Sequence, residues 1–247
     1  MAALGTPARH LESVDSTMTE AARWAAEGAP HGALVSAEAQ HRGRGRHGRR
    51  WQSAPGESLL LTLVLRPDLE ARRLGLVPLA AGLAVAEALD AFGVRAALKW
   101  PNDVRVGGRK LAGVLAESSK PRGEALVLLG IGVNVAQTSF PDDLEDAATS
   151  IRLVTGRPVA ADSVLDSVLE RLSAHLGSLS TAPARVLEAV EQRLERTKQP
   201  VDLRDPMTGR RIERGRIVGV AADGGLRLDT ADGERVAYAG EVTLAAP

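Results

Sequence analysis

The chain has 247 residues, with 31 basic and 31 acidic side chains, so its formal net charge is zero and its isoelectric point is near 7.0. This length predicts one large domain and one small one, and the balanced charge argues against a general attraction to nucleic acid or membranes. The lack of cysteine excludes disulfides, thiolate metal sites and cysteine nucleophiles. No apolar run reaches the roughly 18 residues of a membrane span, and the amino terminus lacks a signal-peptide pattern. We therefore expect a cytoplasmic protein.

The first half of the chain alternates between helical and strand patterns. The first predicted element is a helix that begins after Ser16, a residue type that commonly caps helices. In chain order, the predicted elements are a helix over 17–28, a strand over 33–37, a loop over 40–51, a strand over 58–65 and a helix over 72–92. The last helix is apolar around most of its circumference, which predicts a buried core helix.

The second half begins with strand patterns, returns to helices and ends in short strands. Gly107 and Gly108 are predicted to form the two-residue turn of a hairpin. The predicted elements are strands over 94–100, 104–106, 110–117 and 125–135, helices over 163–179 and 183–196 capped by Asp162 and Thr181, and strands through Leu203 and over 212–220, 226–228 and 236–244. These elements predict an α+β domain with a mixed β-sheet over residues 1–196 and a small, closed or half-closed β-barrel over residues 197–247.

The loop over 40–51, with the sequence QHRGRGRHGRRW, is rich in glycine and arginine. Its glycines allow close approach of the backbone to a ligand, and its arginines offer planar, permanently charged groups that suit an anion. Three interpretations remain open on composition: a solvated basic loop, a nucleic-acid patch and a cradle for nucleotide phosphates. Aromatic residues make up only 2% of the chain, which disfavours base stacking on single strands. The loop matches neither the P-loop nor the dinucleotide fingerprint.

Three further motifs carry polar or glycine residues at strand ends and interiors. Residues 99–103, KWPND, predict a turn with oxygen ligands at its tip, and the simplest alternative is a structural turn with a surface lysine at Lys99. In KLAG, Lys110 shares a strand face with small residues, which leaves room for a ligand. Gly130 and Gly132 interrupt an apolar strand, which indicates either a bulge or the close approach of another group. Ser16 and Thr17 are otherwise explained as a helix cap.

Together these motifs closely resemble the biotin–protein ligase family. The resemblance rests on Ser16-Thr17, then Gln40 with GRGRHGRRW, then KWPND, KLAG and GIGVN in this order, and it extends to Gly240-Glu241-Val242 near the carboxyl end. It implies the fold shared by biotin ligases and class II aminoacyl-tRNA synthetases, followed by an SH3-like β-barrel. The chain differs from common members at Met18, Arg42 and His47.

The resemblance also implies which residues bind the substrates. Biotin is expected to contact Ser16, Thr17, Met18, Gln40, Gly43, Arg44, Gly45, Arg46, Lys110, Gly113, Gly130 and Gly132. ATP and its phosphates are expected to contact Arg46, Arg49, Trp51, Asn102, Asp103, Lys110 and Asn134. The expected catalytic residues are Lys110, Arg46 and Asp103. No cage of side chains is expected around a metal, although Asp103 is a candidate ligand for the Mg²⁺ that accompanies ATP.

The implied reaction joins biotin to ATP as biotinyl-5′-adenylate and then passes biotin to a lysine of a carrier domain of an acyl-CoA or pyruvate carboxylase. We expect a monomer or weak homodimer that binds neither DNA nor membranes, since the 15 residues before Ser16 are too few for a helix-turn-helix. Lipoate ligation is the nearest alternative activity, whereas the related transfer through an acyl-cysteine is excluded because there is no cysteine. A non-enzymatic RNA-binding protein is the alternative from another class.

Overall fold

Seven strands form the larger of two sheets in the computed structural model, which describes residues 3–196 and 199–245 and leaves the side chain of Arg122 undescribed. The strands are β1 Ala8–Val14, β2 Ala33–Gln40, β3 Ser58–Leu65, β4 Ala97–Lys99, β5 Asp103–Val106, β6 Arg109–Ser119 and β7 Leu126–Asn134. Their order is β1-β2-β3-β7-β6-β5-β4. Only the β1–β2 pair within this sheet is parallel, so the predicted mixed sheet is confirmed.

Five α-helices accompany this sheet in the described residues. They are α1 Thr17–Ala26, α2 Leu76–Asp90, α3 Ile151–Thr155, α4 Ala161–Thr181 and α5 Pro183–Arg193. Most of the side chains of α2 are buried, because α2 packs against strands β4 to β6 on one side and against α4 and α5 on the other. The predicted core helix is therefore confirmed, although it begins at Leu76 because residues 71–73 form a separate 3₁₀ turn.

The beginning of the chain differs from the prediction. The first element is strand β1 and not a helix, and its exposed residues gave no apolar signal because it lies at the edge of the sheet. Ser16 does occupy the N-cap position of α1, but its side chain makes no capping hydrogen bond. The other two predicted caps are wrong, since Ala160 and Ala182 occupy the N-cap positions of α4 and α5.

Short strands form a second, antiparallel sheet in residues 199–245, which we call the C-terminal module. Its strands are β8 Val201–Arg204, β9 Arg211–Val220, β10 Leu226–Thr230, β11 Gly233–Ala237 and β12 Glu241–Leu244, in the order β11-β10-β9-β8-β12. The all-β prediction is confirmed, but the sheet is open within the described residues, so a closed barrel is not formed there. The single strand predicted over 236–244 is broken near Gly240, whose φ of 129° suits glycine.

The two sheets share one hydrophobic core, and hydrogen bonds join the C-terminal module to the rest of the chain. Trp100 Nε1 donates to the carbonyl oxygen of Gly224 over 3.0 Å, and Val220 N donates to Glu191 Oε1 over 2.9 Å. The predicted boundary between residues 196 and 197 adjoins Thr197 and Lys198, which lie outside the described residues, and it stays a prediction. Within 3–196 and 199–245, every helix is too short or too polar to cross a bilayer.

The hairpin between β5 and β6 has the predicted turn. Gly107 and Gly108 both adopt positive φ values, of 57° and 81°, which side chains other than glycine rarely tolerate in succession. This turn and the 99–103 turn at the other end of β5 determine which residues of β4, β5 and β6 face one another. The three strands therefore present a fixed set of charged residues on one face.

Candidate active site

A cavity of about 360 Å³ opens on one face of the larger sheet. It is bordered by the start of α1, the glycine-arginine loop, the 99–103 turn, strands β6 and β7, the 136–149 segment and the start of β12. The predicted site residues that line it are Ser16, Thr17, Met18, Gln40, Arg44, Gly45, Arg46, Arg49, Trp51, Asn102, Asp103, Lys110, Gly113, Gly130, Gly132 and Asn134. Gly43 is buried beside Trp51 and does not line the cavity.

One end of the cavity is a small polar recess formed by α1 and the end of β2. Thr17 N donates to Gln40 Oε1 over 2.8 Å, the Thr17 hydroxyl also reaches this oxygen, and Thr62 Oγ1 donates to Thr17 Oγ1 over 2.9 Å. These bonds fix the amide of Gln40 through its oxygen alone, so its nitrogen remains a donor for a ligand. The buried Ser16 hydroxyl has no partner among the described residues. Because buried polar groups are nearly always paired, this hydroxyl indicates a place for a polar ligand atom.

The two glycines of β7 make room for side chains that form the walls of the cavity. A Cβ atom on Gly130 would lie 2.9 Å from the Met18 sulfur, and one on Gly132 would lie 2.8 Å from the Trp51 ring. Pairing of β7 with both neighbours continues without a register shift at these positions. The glycines therefore permit close approach, and the alternative of a bulge is wrong.

Trp51 lies across the strand glycines at the middle of the cavity. Its ring would also be 3.2 Å from a Cβ on Gly113, and Lys110 Nζ is 5.8 Å from the ring centroid. Its indole nitrogen is buried and unpaired within the described residues. The resemblance assigns Trp51 to the nucleotide, and this assignment stays a prediction; the structure places the ring beside Gly113, Gly132 and Lys110.

The glycine-arginine loop folds back on itself over the cavity. Gly45 N donates to the Arg49 carbonyl oxygen over 2.8 Å, and Trp51 N donates to the Gly43 carbonyl oxygen over 3.1 Å. His47 at the tip has a φ of 56°, a left-handed conformation. Two loop arginines are held from outside the loop. These salt bridges join Arg44 to Glu117 and Arg49 to Glu241.

Arg49 connects the loop to the C-terminal module. Its Nη1 donates to Glu241 Oε1 over 3.0 Å, and its Nη2 donates to the other carboxylate oxygen. This bidentate pairing raises the pKa of Arg49 and lowers the pKa of Glu241. Glu241 begins β12, so the second sheet supplies one wall of the cavity.

Arg46 lines the cavity, and no carboxylate of the described residues forms a salt bridge with it. Its Nη1 lies 3.3 Å from Asn102 Oδ1, and Asn102 Nδ2 donates to the Val114 carbonyl oxygen over 2.9 Å. Burial lowers the pKa of Arg46, against the opposing effect of Asp103. An arginine that is partly removed from water and bound only to a neutral amide remains able to bind an anion. Asn102 positions Arg46 and does not itself present a free amide.

Lys110 and Asp103 form an ion pair in the part of the cavity that also contains Arg46, which we call the charged end. Lys110 Nζ lies 2.6 Å from Asp103 Oδ1, and both side chains remain partly exposed. Hydrogen bonds fix the backbone of Lys110 as well: its N–H donates to Ala147 O over 2.8 Å, and its carbonyl accepts from Thr149 N over 2.9 Å. The 136–149 segment thus holds the lysine in place.

Asn134, which is expected at the nucleotide, is bound to the 136–149 segment. Its amide nitrogen donates to Thr149 O over 3.0 Å and its oxygen accepts from Gln137 Nε2 over 3.2 Å, so it anchors this segment.

Sequence reasoning missed several residues that line the cavity. The missed lining residues include Lys99, Arg105, Phe140, Leu144 and Glu241. The signal for Lys99 was available, because a hairpin at 99–103 places it opposite Asp103.

Comparisons with known proteins agree with this geometry. Residues 10–134 match the model of the biotin/lipoate A/B protein ligase family, and residues 199–244 match the biotin protein ligase C-terminal domain. The chain is 37% identical over 94% of its length to the biotin--[acetyl-CoA-carboxylase] ligase of Paracoccus denitrificans, of which 98% is covered. It is 29% identical to the bifunctional ligase/repressor BirA of Bacillus spizizenii, over 95% of this chain and 73% of that protein.

The structural comparison extends over almost the entire chain. The biotin protein ligase from Aquifex aeolicus in complex with biotin and ATP superposes with a TM-score of 0.85 at 31% identity, covering 98% of this chain and 100% of that one. The mixed sheet and the C-terminal module thus have counterparts in this solved ligase. The chain belongs to the biotin protein ligase branch of the biotin/lipoate A/B protein ligase family.

Proposed function

We propose that this chain activates biotin with ATP to give biotinyl-5′-adenylate and then transfers the biotinyl group to a lysine of a biotin carboxyl carrier domain. One observation carries the proposal most directly. A single cavity joins a recess with an unpaired Ser16 hydroxyl to a charged end that contains Lys110 and Arg46. Biotin has the same polarity, with a polar ureido ring at one end and a carboxylate at the other.

The polar recess fits the ureido ring. The Gln40 amide nitrogen can donate to the ureido oxygen, and the Ser16 hydroxyl can pair with a ureido nitrogen or oxygen. Met18 and Trp51 offer apolar surface to the bicyclic ring and the alkyl chain between the two ends. With the ureido ring in the recess, the carboxylate end of biotin would face Lys110, which lines the same cavity.

The first reaction requires two anions to meet. A carboxylate oxygen of biotin attacks the α-phosphorus of ATP, the bond from this phosphorus to the bridging oxygen breaks, and pyrophosphate leaves. Two unit charges at 4 Å repel by about 4 kcal/mol at an effective dielectric constant of 20. Lys110 and Arg46 lie where they can offset this repulsion, so positioning and electrostatics supply the catalysis and no protein nucleophile is needed.

The Mg²⁺ that accompanies ATP would supply charge neutralisation at the phosphates. Among the described side chains, no three His, Cys, Asp or Glu residues cluster as a metal cage. Asp103 has one carboxylate oxygen 2.6 Å from Lys110, and its carboxylate would be the side chain that holds the ion. The donor set therefore fits an ion that is coordinated mainly by the nucleotide.

The folded glycine-arginine loop suits the intermediate. Biotinyl-5′-adenylate is a mixed anhydride that water destroys, so a loop that covers the cavity protects it. Glycines allow the loop to open for substrates, and the salt bridges of Arg44 and Arg49 hold it closed. In the second reaction the carrier amine attacks the acyl carbon and AMP leaves. Asp103 is the candidate to accept the proton from that amine.

The decisive experiment combines the chain with biotin, Mg·ATP and an apo carrier domain, followed by intact mass measurement. We expect a mass increase equal to one biotinyl group on the carrier. A carrier that a known ligase modifies, but that this chain leaves unmodified, would contradict the proposed function. Replacing biotin with lipoate in the same assay tests the lipoate activity that the family name includes.

We also propose that the chain works in the cytoplasm as a monomer or weak homodimer without binding DNA. Its need for ATP supports the location, and its zero net charge supports the lack of DNA affinity. Light scattering after size exclusion and a gel-shift titration test these two points. A stable larger assembly or a salt-sensitive DNA complex would contradict them.

A further inference from the structure

One face of strands β4, β5 and β6 carries four charged residues beside the cavity. Lys99 on β4 lies directly opposite Asp103 on β5, and Arg105 lies opposite Lys110 on β6. Directly opposed residues on antiparallel strands have side chains on the same face, about 5 Å apart at Cβ. All four residues line the cavity, so this face is the wall of its charged end.

The charges on this wall do not cancel. Lys110 pairs with Asp103 at 2.6 Å, and Arg105 pairs with Glu195 at 3.1 Å. Within the part of the chain that the structure describes, Lys99 forms neither a salt bridge nor a side-chain hydrogen bond, although it is half-buried. Burial is the main cause that lowers the pKa of Lys99, followed by the charge of Arg105.

The charges of Asp103, Glu241 and Glu195 partly offset this lowering, but within the described residues none of these carboxylates is within salt-bridge distance of the Lys99 ammonium, which has lost water without a direct counter-ion. This ammonium gains most from an anion that enters the cavity, because hydrogen bonds between charged groups are about twice as strong as neutral ones. Lys99 flanks Asp103 on one side and Lys110 flanks it on the other. An anion at Lys99 would therefore extend from the reacting carboxylate and α-phosphate toward β4.

We propose that Lys99 binds the β- and γ-phosphates of ATP and stabilises the pyrophosphate that leaves during biotin activation. The proposal rests on the proposed function and adds a phosphate-binding residue to it. When the bond between the α-phosphorus and the bridging oxygen breaks, its electron pair becomes charge on the departing pyrophosphate. The ammonium of Lys99 meets this charge without transferring a proton, whereas Lys110 serves the carboxylate and α-phosphate.

This division of labour separates the two half-reactions. Adenylate formation has a pyrophosphate leaving group, but transfer from ready-made biotinyl-5′-adenylate has only AMP. Removal of the Lys99 charge should therefore impair the first half-reaction and spare the second. A lysine that merely supported the fold or acted on the carrier amine would affect transfer as well.

The test uses Lys99→Met, which keeps an unbranched side chain of similar length but removes the charge. Lys99→Gln is a second, polar variant. Lys120→Met is the matched control, since Lys120 is exposed and does not line the cavity. For either Lys99 variant we expect kcat/KM for Mg·ATP to fall about 10- to 100-fold, and inhibition by added inorganic pyrophosphate to weaken by a similar factor. Transfer from supplied biotinyl-5′-adenylate should stay within about twofold of wild type.

The outcomes are distinguishable. Unchanged pyrophosphate inhibition in folded Lys99→Gln or Lys99→Met protein would overturn the proposal, and so would an equal loss in both half-reactions. A wild-type chain that forms no adenylate at all would contradict the proposed function instead. Thermal unfolding and biotin titration of each variant show whether the fold and the recess are intact, and loss of biotin binding alone would also overturn the assignment to pyrophosphate.

Discussion

Lys110 illustrates how a single residue is held ready for an anion. Asp103 lies 2.6 Å away and keeps the ammonium in place, but both groups are partly exposed, so their mutual attraction is modest. An arriving biotin carboxylate can therefore join or replace Asp103 without breaking a buried ion pair. The backbone bonds to Ala147 and Thr149 prevent the lysine from following its new partner away from the site.

We expect Lys110→Ala to lower the rate of adenylate formation by about 10² to 10³, as for the loss of one pre-placed charge stabiliser. Pyrophosphate release with saturating ATP measures this step. Lys120→Ala serves as the control, because it removes an exposed lysine away from the cavity. Release at the wild-type rate by folded Lys110→Ala protein would contradict the assignment of Lys110 to the reacting carboxylate.

Gly132 tests the role of Trp51 as a wall of the cavity. A Cβ at this position would lie 2.8 Å from the Trp51 ring, so Gly132→Ala should displace the ring and lower the affinity for biotin about tenfold or more. Titration calorimetry with biotin gives the affinity. Gly82→Ala is the control: Gly82 lies within α2, and the new methyl group would lie 3.4 Å from a methyl group of Leu98 on β4. Stability should therefore be equal or higher and biotin affinity unchanged.

At the scale of elements, the glycine-arginine loop and strand β12 are joined by Arg49 and Glu241. An exposed ion pair contributes only about 0.2–1 kcal/mol. Arg49→Gln and Glu241→Gln should therefore leave the unfolding temperature almost unchanged but speed the escape of biotinyl-5′-adenylate by up to about fivefold. Escape from the double variant should be no faster than from either single variant, because both substitutions remove the same contact.

Rapid dilution of the loaded enzyme measures this escape. A double variant whose escape rate equals the product of the two single effects would show that the pair is not coupled in solution. Arg42→Gln is a suitable control, since Arg42 is an exposed arginine of the same loop that does not line the cavity.

The same pair predicts a pH dependence. Arg49 lowers the pKa of Glu241 below its ordinary value of 4.5, so the carboxylate favours the closed loop above pH 4.5. This contribution is lost only as the pH falls through the lowered pKa. Glu241 therefore stays ionised between pH 6 and 8, and we expect it to cause no change in the adenylate escape rate over this range. A change in that range that disappears in Glu241→Gln would contradict the lowered pKa.

Elements that depend on local sequence could be predicted, whereas contacts between distant segments could not. The core helix and the Gly107-Gly108 turn followed from composition, because burial on all sides and a two-residue turn each demand particular residue types. Strand β1 was missed because an exposed edge strand needs no apolar alternation. The positions of Met18 and Trp51 over the strand glycines depend on packing between distant segments, which a linear pattern does not contain.

At the scale of the whole molecule, Trp100 connects the C-terminal module to the 99–103 turn that borders the cavity. Its side chain is buried to 4% exposure and its indole nitrogen donates to Gly224 O in the C-terminal module over 3.0 Å. Glu191 at the end of α5 makes a second bond, to Val220 N. The module therefore positions both the loop, through Glu241, and the turn, through Trp100. We propose that residues 1–196 and 197–247, which the sequence predicts to be two domains, unfold together as one cooperative unit.

Calorimetry tests this coupling. The wild-type chain should unfold in one transition whose calorimetric and van't Hoff enthalpies agree, because one hydrophobic core extends across both sheets. Trp100→Ala removes a buried aromatic side chain, at a cost of about 3–5 kcal/mol, and also the hydrogen bond to Gly224. We therefore expect the transition to split, with the C-terminal module melting first.

Trp24→Ala is the control, since Trp24 is only partly buried and stacks on Arg9 away from the module. Two transitions in the wild type, or a single shifted one in Trp100→Ala, would show that the sheets are not coupled through Trp100. If the split occurs, adenylate formation should be lost at the lower transition, because Glu241 and the turn then no longer complete the cavity.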